Sequence, residues 1–250
     1  TRTMNGLQEP NITTKKFGGM EVTLFEAKES LGGVVRHVIP PFRISEDAIE
    51  KDAEILRKMQ VDIRCNTKVE SLEELKKQGY TKIVLAVGAP VQGSLKLESG
   101  MPKNALEFLA EFKQTDGKVS LGKHVVVIGG GNTAMDTARA AKRNAGVEHV
   151  YLIYRRTRRY MPADEEELVM ALEDGVEFKE LLSPVKLENG QLLCKVMQLS
   201  DYDASGRRGV TETGKTVWVP ADTVIAAVGE KVPTHLLPIR YLSRQTVFVA

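Results

Sequence analysis

Lys123-His124-Val125-Val126-Val127-Ile128-Gly129-Gly130-Gly131-Asn132-Thr133-Ala134-Met135-Asp136 is the stretch that decides the fold. An apolar, β-branched run stops at a glycine-rich turn and passes at once into a helix-forming segment. That is the strand–turn–helix context of a dinucleotide fingerprint, here Gly129-x-Gly131-x-x-Ala134. Gly129 permits the tight turn, Gly131 lets a pyrophosphate approach the backbone, and Ala134 keeps the helix close to the strand. The phosphates would sit on N–H groups of the turn and of the helix N-terminus, where the dipole favours negative charge.

The helix read over Thr133 to Ala145 leads to a second apolar strand, His149 to Tyr154, which ends in Arg155-Arg156. A site for NAD calls for an acidic residue near this strand end to hold the ribose hydroxyls. None stands there. Two arginines do, with Arg158 and Arg159 just beyond, and guanidinium forks match a 2′-phosphate bidentately. The pattern points to NADPH rather than NADH; a solvated basic turn is the alternative.

Around this unit lies a chain of 250 residues, long enough for one large domain or two small ones. Its 42% hydrophobic content supports a real core. A net charge of +2 leaves no broad nucleic-acid footprint. Cys65 and Cys194 lie far apart with no C-x-x-C, so the chain carries neither a vicinal redox pair nor a thiolate set for an iron–sulfur cluster. Reduced thiols suggest the cytoplasm, and no apolar run approaches the length of a membrane span. The four histidines, His37, His124, His149 and His235, show no metal-ligand spacing, and no catalytic acid, base or nucleophile stands out.

Residues 1–16 read as irregular. Met20 to Glu26 reads as a strand ending in a carboxylate, followed by the glycine pair Gly32-Gly33. Ile39 to Ile44, with Pro40-Pro41, reads as a rigid extended connector. Ser45 caps a helix carrying Ile49, Ala53, Leu56 and Met59 on one face. Val61 to Cys65 alternates as a strand, Ser71-x-x-Glu74 is a capping box, and Tyr80 to Gly88 is a buried-type strand. A loop over Ala89 to Lys103 is the best domain boundary, and a helix over Ala105 to Phe112 turns Leu106, Leu109 and Phe112 inward. Pro162 suits the first helical position ahead of Asp164 to Glu167, whose acids complement the dipole on a solvated face, and Met170 and Leu172 pack inward. Strands follow at Val176 to Leu182, Leu192 to Leu199 and Thr216 to Val219, with Asn189-Gly190 as a hairpin turn and an exposed loop over Ser200 to Gly214. A strand from Ala221 ends at Gly229, and a short strand reads over Thr246 to Ala250.

Val125 to Asp136, Tyr154-Arg155-Arg156 with Met161-Pro162, and Ala221 to Gly229 resemble the small subunit of glutamate synthase. The same block occurs in the flavin–NADPH part of dihydropyrimidine dehydrogenase. Leu31-Gly32-Gly33-Val34-Val35 with Ile39 to Arg43 extends the match, which is nearest to selenate reductase-type flavoprotein subunits and runs from about Phe17 to Leu237. The resemblance implies an α/β fold of two Rossmann-like dinucleotide-binding domains, with the NADPH domain (96–227) inserted in a partial FAD domain (1–95 and 228–250). It implies that Glu26 holds the FAD ribose and that Gly32-Gly33 lies beside the FAD phosphates. Gly129, Gly130, Gly131, Asn132, Thr133 and Ala134 would form the NADPH phosphate turn, Arg155 and Arg156 the 2′-phosphate pair. Gly229 would mark a crossover between the domains, and Arg43 a position near their interface. In such proteins NADPH gives a hydride to the flavin, and electrons pass to iron–sulfur clusters and a terminal reductase in other segments or subunits.

Two departures stand out. No G-x-G-x-x-G precedes Val22, and the Gly-Asp pair that closes the family's FAD site is absent after Ala250. The chain therefore reads as a piece of a longer flavoprotein with a complete NADPH half and an incomplete FAD half. Two other readings stay open: a nucleotide-binding module without flavin, and a methyltransferase, which would want a carboxylate where Tyr154-Arg155-Arg156 stands.

Overall fold

The computed structural model describes residues 2–5, 21–89, 91–202, 206 and 208–231. It divides into two units, Thr1–Val91 with Lys231–Ala250, and Gln92–Glu230. The expected strand at Thr246 to Ala250, and His235, lie outside the described residues.

In the first unit, β1 (Arg2–Asn5), β2 (Glu21–Phe25), β3 (Asp62–Arg64) and β4 (Tyr80–Val84) form a sheet in the order β3-β2-β1-β4. β2 runs parallel to β3, whereas β1 is antiparallel to both of its neighbours. A polar N-terminal stretch gives no strand signal, yet Arg2–Asn5 fills the slot between β2 and β4. Pairing on both edges makes that strand, and context of this kind overrides local propensity. Helix α1 covers Gly33–His37 and α3 covers Leu72–Lys77. The longer α2, Glu46–Lys58, starts where Ser45 Oγ accepts from the Ala48 N–H at 3.3 Å, and it buries Ile49 and Ala53.

Three further local expectations fail in this unit. Ile39 to Ile44 is a turn, closed by the Arg43 N–H donating to the Pro40 carbonyl at 2.9 Å; proline at the first inner position suits that geometry as well as an extended one. Ser71 precedes α3 in extended conformation but makes no capping hydrogen bond. Tyr80 to Gly88 is a strand only to Val84, and of that strand only Tyr80 is buried: Thr81, Lys82 and Val84 are exposed and Ile83 is half-buried.

The second unit is built on a five-stranded parallel sheet of β6 (Lys103–Asn104), β7 (His124–Ile128), β8 (His149–Tyr154), β9 (Glu177–Glu180) and β13 (Thr223–Ala226), in the order β6-β13-β7-β8-β9. Strands covered on both faces read as unbroken apolar runs. Val125, Val126 and Val127 of β7 are accordingly all at 0% exposure. On one face Val126, Ile128, Tyr151, Ile153 and Val224 pack against Leu192, Cys194, Val219 and Ala221. The last four belong to, or directly follow, an antiparallel meander of β10 (Leu182–Glu188), β11 (Gln191–Tyr202) and β12 (Arg208–Pro220). Helices α4 (Ala105–Gln114), α5 (Asn132–Arg143) and α6 (Glu165–Glu173) pack in sequence, α5 also lying on β7 and β8. β5 (Val91–Gln92) forms a separate two-stranded sheet with β14 (Glu230–Lys231).

Here too the local reading needs correction. Val176 to Leu182 is not one strand: Leu181, at φ +57°, breaks it so that β9 stays with the parallel sheet and β10 joins the meander. The Asn189-Gly190 turn, both residues at positive φ, therefore joins β10 to β11. The exposed loop expected over Ser200 to Gly214 is largely strand, paired from Leu199↔Val210 to Tyr202↔Arg208. Leu106 is half-buried, while Phe108 takes its place in the core beside Leu109 and Phe112. Leu172 is exposed, and Glu167 is buried beside Arg139 rather than solvated. His124 and His149 open their strands and stack at 5.2 Å, at the end of the sheet opposite the glycine turn.

Cys194 is at 0% exposure, and burial pushes its thiol up to about 12. Cys65 is half-buried, and neither is in a disulfide. A thiol-specific disulfide reagent should therefore titrate one thiol in the folded chain and two after denaturation, since the thiolate is the nucleophile. Reaction of Cys194 in the folded state would contradict this packing.

Candidate functional site

The parallel sheet changes winding direction at β7: β8 lies on one side and β13, which follows later in the chain, on the other. Ligands of open α/β sheets bind outside the carboxyl ends of the strands at such a point. The glycine turn after β7 and the segment Ala227–Gly229 after β13 both stand there, and the Ala227 N–H donates to the Ile128 carbonyl at 2.8 Å.

The three glycines of the turn do different work. A Cβ on Gly129 would lie 2.3 Å from the Ala227 carbonyl oxygen and 3.0 Å from the Ala134 Cβ. Gly129 thus permits strand–helix contact, and its N–H is taken by the Ile153 carbonyl at 3.1 Å. A Cβ on Gly130 would meet the Tyr154 ring at 2.5 Å. Gly131 alone faces space, with Pro162 Cγ, at 4.0 Å, the nearest atom to its added Cβ. It is also the N-cap residue of α5, and no side chain caps that helix. An uncapped helix N-terminus beside an open glycine backbone is a cradle that a diphosphate fits.

Asn132, the first residue of α5, turns its carboxamide to Asp164. Its Nδ2 donates to Asp164 Oδ2 at 3.0 Å, and its Oδ1 accepts from the Asp164 N–H at 3.0 Å. Thr133 closes the first turn, its carbonyl accepting from Thr137 Oγ1 at 2.6 Å, and Ala134 is fully buried. Pro162 does not start α6 as expected; Asp164 is the N-cap residue and the helix begins at Glu165.

The two arginines at the end of β8 part company. Arg155 is exposed. Arg156 is only 6% exposed, and its Nε donates to the Arg208 carbonyl of β12 at 2.6 Å. Beyond them the Arg158 N–H donates to Glu180, its guanidinium pairs with Glu165 at 3.1 Å, and Arg159 is exposed. No acidic residue lies between Tyr154 and Arg159. Behind the site, Arg139 and Arg143 of α5 hold Asp174 after α6; burial pushes that carboxyl up, but their hydrogen bonds outweigh it and keep it low. At the far end of the sheet, N–H groups of His124 and Lys123 donate to Asp222 and hold its carboxyl below the usual range.

In the first unit the expected flavin residues follow β2. Glu26 is half-buried, and its Oε1 accepts from the Lys28 N–H at 2.9 Å. Gly32 and Gly33 take φ of +120° and +49°, and Arg43 is exposed in the turn after Pro40. A cleft of about 370 Å³ opens at the ends of β2 and β3, lined by Phe25, Arg64, Thr67 and Ser71 among others. Arg64 lies 5.7 Å from the centre of the Phe25 ring. The fit to FAD is partial, since the strand beside β2 is Arg-Thr-Met-Asn with no glycine turn of the dinucleotide kind in its sequence. Gly229, at φ +103°, accepts from the Gly93 N–H at 2.7 Å and is placed in the second unit.

The contacts that Asp164, Tyr154 and Pro162 make at the site were missed by sequence reasoning, although Tyr154 and Pro162 stand in the stretches that carry the family resemblance. Among the described residues no group of three or more His, Cys, Asp or Glu could hold a metal ion, and no helix is long and apolar enough to cross a membrane.

Residues 18–246 match the pyridine nucleotide-disulphide oxidoreductase family. The chain belongs to that family. This chain is 41% identical over 225 residues to the YgfK protein of Escherichia coli, covering 88% of this chain and 22% of that protein. It is 38% identical over 238 residues to the NADPH-Fe(3+) oxidoreductase subunit beta of Geobacter sulfurreducens, covering 88% of this chain and 35% of that one. With the glutamate synthase (NADPH) small chain of Escherichia coli it shares 34% identity over 247 residues, 90% of this chain and 52% of the other. The chain thus spans from about a fifth to about half the length of these curated relatives. Among solved structures, FprA of Mycobacterium tuberculosis in complex with NADPH shares the fold, with a TM-score of 0.67 at 21% identity over 84% of this chain and 64% of that one.

Proposed function

We propose that this chain is the electron-input part of an NADPH-dependent flavoprotein oxidoreductase, taking hydride from NADPH by way of FAD toward iron–sulfur and terminal reductase partners. The observation that carries it is the open Gly131 backbone at the uncapped start of α5, with Arg155 rather than an acid at the neighbouring strand end. Gly129 to Ala134 would seat the diphosphate of NADPH. Arg155 and Arg156 would take its 2′-phosphate, Arg156 from a position fixed by β12 and Arg155 from solvent. Glu26, Gly32 and Gly33 would meet FAD, with Arg43 and Gly229 as further cofactor-binding residues. Bound flavin supplies the conversion of a two-electron donor into single electrons; the protein orients, excludes water and sets the local charge. Two free thiols fit a reducing compartment, the cytoplasm.

The test is calorimetric titration with NADPH and NADH, repeated on Arg155→Ala, which leaves the Arg156 contact to β12 intact. Losing a charge-assisted fork should weaken NADPH roughly 10- to 100-fold and leave NADH unchanged. Equal affinity of the unaltered chain for both nucleotides refutes the arginine assignment. A second reading, a nucleotide-binding module without flavin, draws on Arg2–Asn5 occupying the strand slot beside β2. Flavin absorbance in the purified chain separates the two.

A further inference from the structure

Asp164 holds the N-cap position of α6 but makes no cap, since its side chain bonds to no N–H of that helix. Its carboxylate reaches instead to Asn132 at the start of α5, and its own N–H completes a reciprocal pair with Asn132 Oδ1, both bonds at 3.0 Å. The preceding residue is tied down as well, the Ala163 N–H donating to the Gly130 carbonyl at 3.0 Å. At the other end of the segment, Tyr154 Oη donates to the Tyr160 carbonyl at 2.8 Å. Tyr160 to Asp164 therefore crosses the glycine turn as a strap fixed at both ends, with Pro162 facing the open side of Gly131.

A carboxylate beside an anion site opposes anion binding, and an unused N-cap forgoes helix stabilisation. What Asp164 contributes in return is the strap. We propose that Asp164 is a positioning residue that, through Asn132, latches the Tyr160–Asp164 strap over the turn and so holds the diphosphate of NADPH in place. Asn132 then serves the nucleotide through its backbone N–H while its carboxamide serves the latch. This rests on the NADPH reading above.

The experiment titrates the full chain and two variants with NADPH and with adenosine 2′-phosphate, which lacks the diphosphate, and records the melting temperature of each. Asp164→Ala keeps the backbone N–H bond but loses the carboxylate acceptor, and should weaken NADPH about tenfold, the scale of one lost charge-assisted hydrogen bond, while leaving adenosine 2′-phosphate unchanged. Asp164→Asn still offers Asn132 an acceptor and should stay within about threefold of the unaltered chain. NADPH binding that survives Asp164→Ala overturns the latch. So does a parallel loss of adenosine 2′-phosphate, or Asp164→Asn failing as badly as alanine. Failure of the unaltered chain to bind NADPH defeats the nucleotide assignment itself, a result distinct from all three.

Discussion

Gly129→Ala is expected to destabilise the second unit by about 3 kcal/mol, lowering its Tm by roughly 6–12 °C. The new methyl carbon would stand 2.3 Å from the Ala227 carbonyl oxygen, a separation that packed atoms do not sustain. Neither side can retreat. Gly129 follows β7 directly, β7 pairs with β13 as far as Ile128↔Ala226, and Ala227 is itself bonded back to Ile128. On the helix side Ala134 is fully buried, so α5 cannot shift without opening the core. The backbone of Gly129 also sits at φ +156°, where side chains are rare. Thermal melting followed by circular dichroism reads the effect, and an unchanged Tm would mean that the turn yields in a way this packing forbids.

Two residues further on, the same substitution should leave the fold and remove the ligand. Gly131 has φ −98° and ψ 175°, a conformation open to any residue, and the added carbon meets nothing nearer than Pro162 Cγ at 4.0 Å. The expected stability change is about 0.5 kcal/mol, the difference between glycine and alanine at an N-cap. On the proposed reading, that same carbon occupies the space through which a diphosphate would reach the helix N-terminus. NADPH affinity should therefore fall about 100-fold, equivalent to about 2.7 kcal/mol. Calorimetric titration beside a melting curve checks both halves. A Gly131→Ala chain that binds NADPH within about threefold of the original would move the diphosphate away from this turn.

The second unit's βαβ core could be read from sequence because its signals are local. Val125 to Ile128 and Val150 to Tyr154 are continuous apolar runs that only two-sided burial explains, and the glycine turn between strand and helix is contiguous. What escaped was set at a distance. Asn132 and Asp164 are far apart in sequence, and neither residue type announces the other. Arg155 and Arg156 are chemically identical neighbours; only the position of β12, in a stretch that reads as polar loop, separates an exposed arginine from one held on the Arg208 carbonyl. β12 itself lacks apolar alternation over Thr211 to Thr216 and is strand because β11 pairs with it. The Ser71 box failed for the converse reason, since the right residue types were present without the bond.

The pairing of Val125 with Thr223 also bears on how the molecule is made. As the chain leaves the ribosome, β7, α5 and β8 emerge together and can associate through short-range contacts. The carbonyl of Ala227, which packs against Gly129, is synthesised long afterwards, once the whole meander has been added. Non-local pairings of this kind form late, because a large loop must close before they are rewarded. The glycine turn is thus among the last parts of its unit to acquire a rigid shape. Until Ala227 has cleared the exit tunnel, the nascent chain carries the fingerprint without the wall that shapes it.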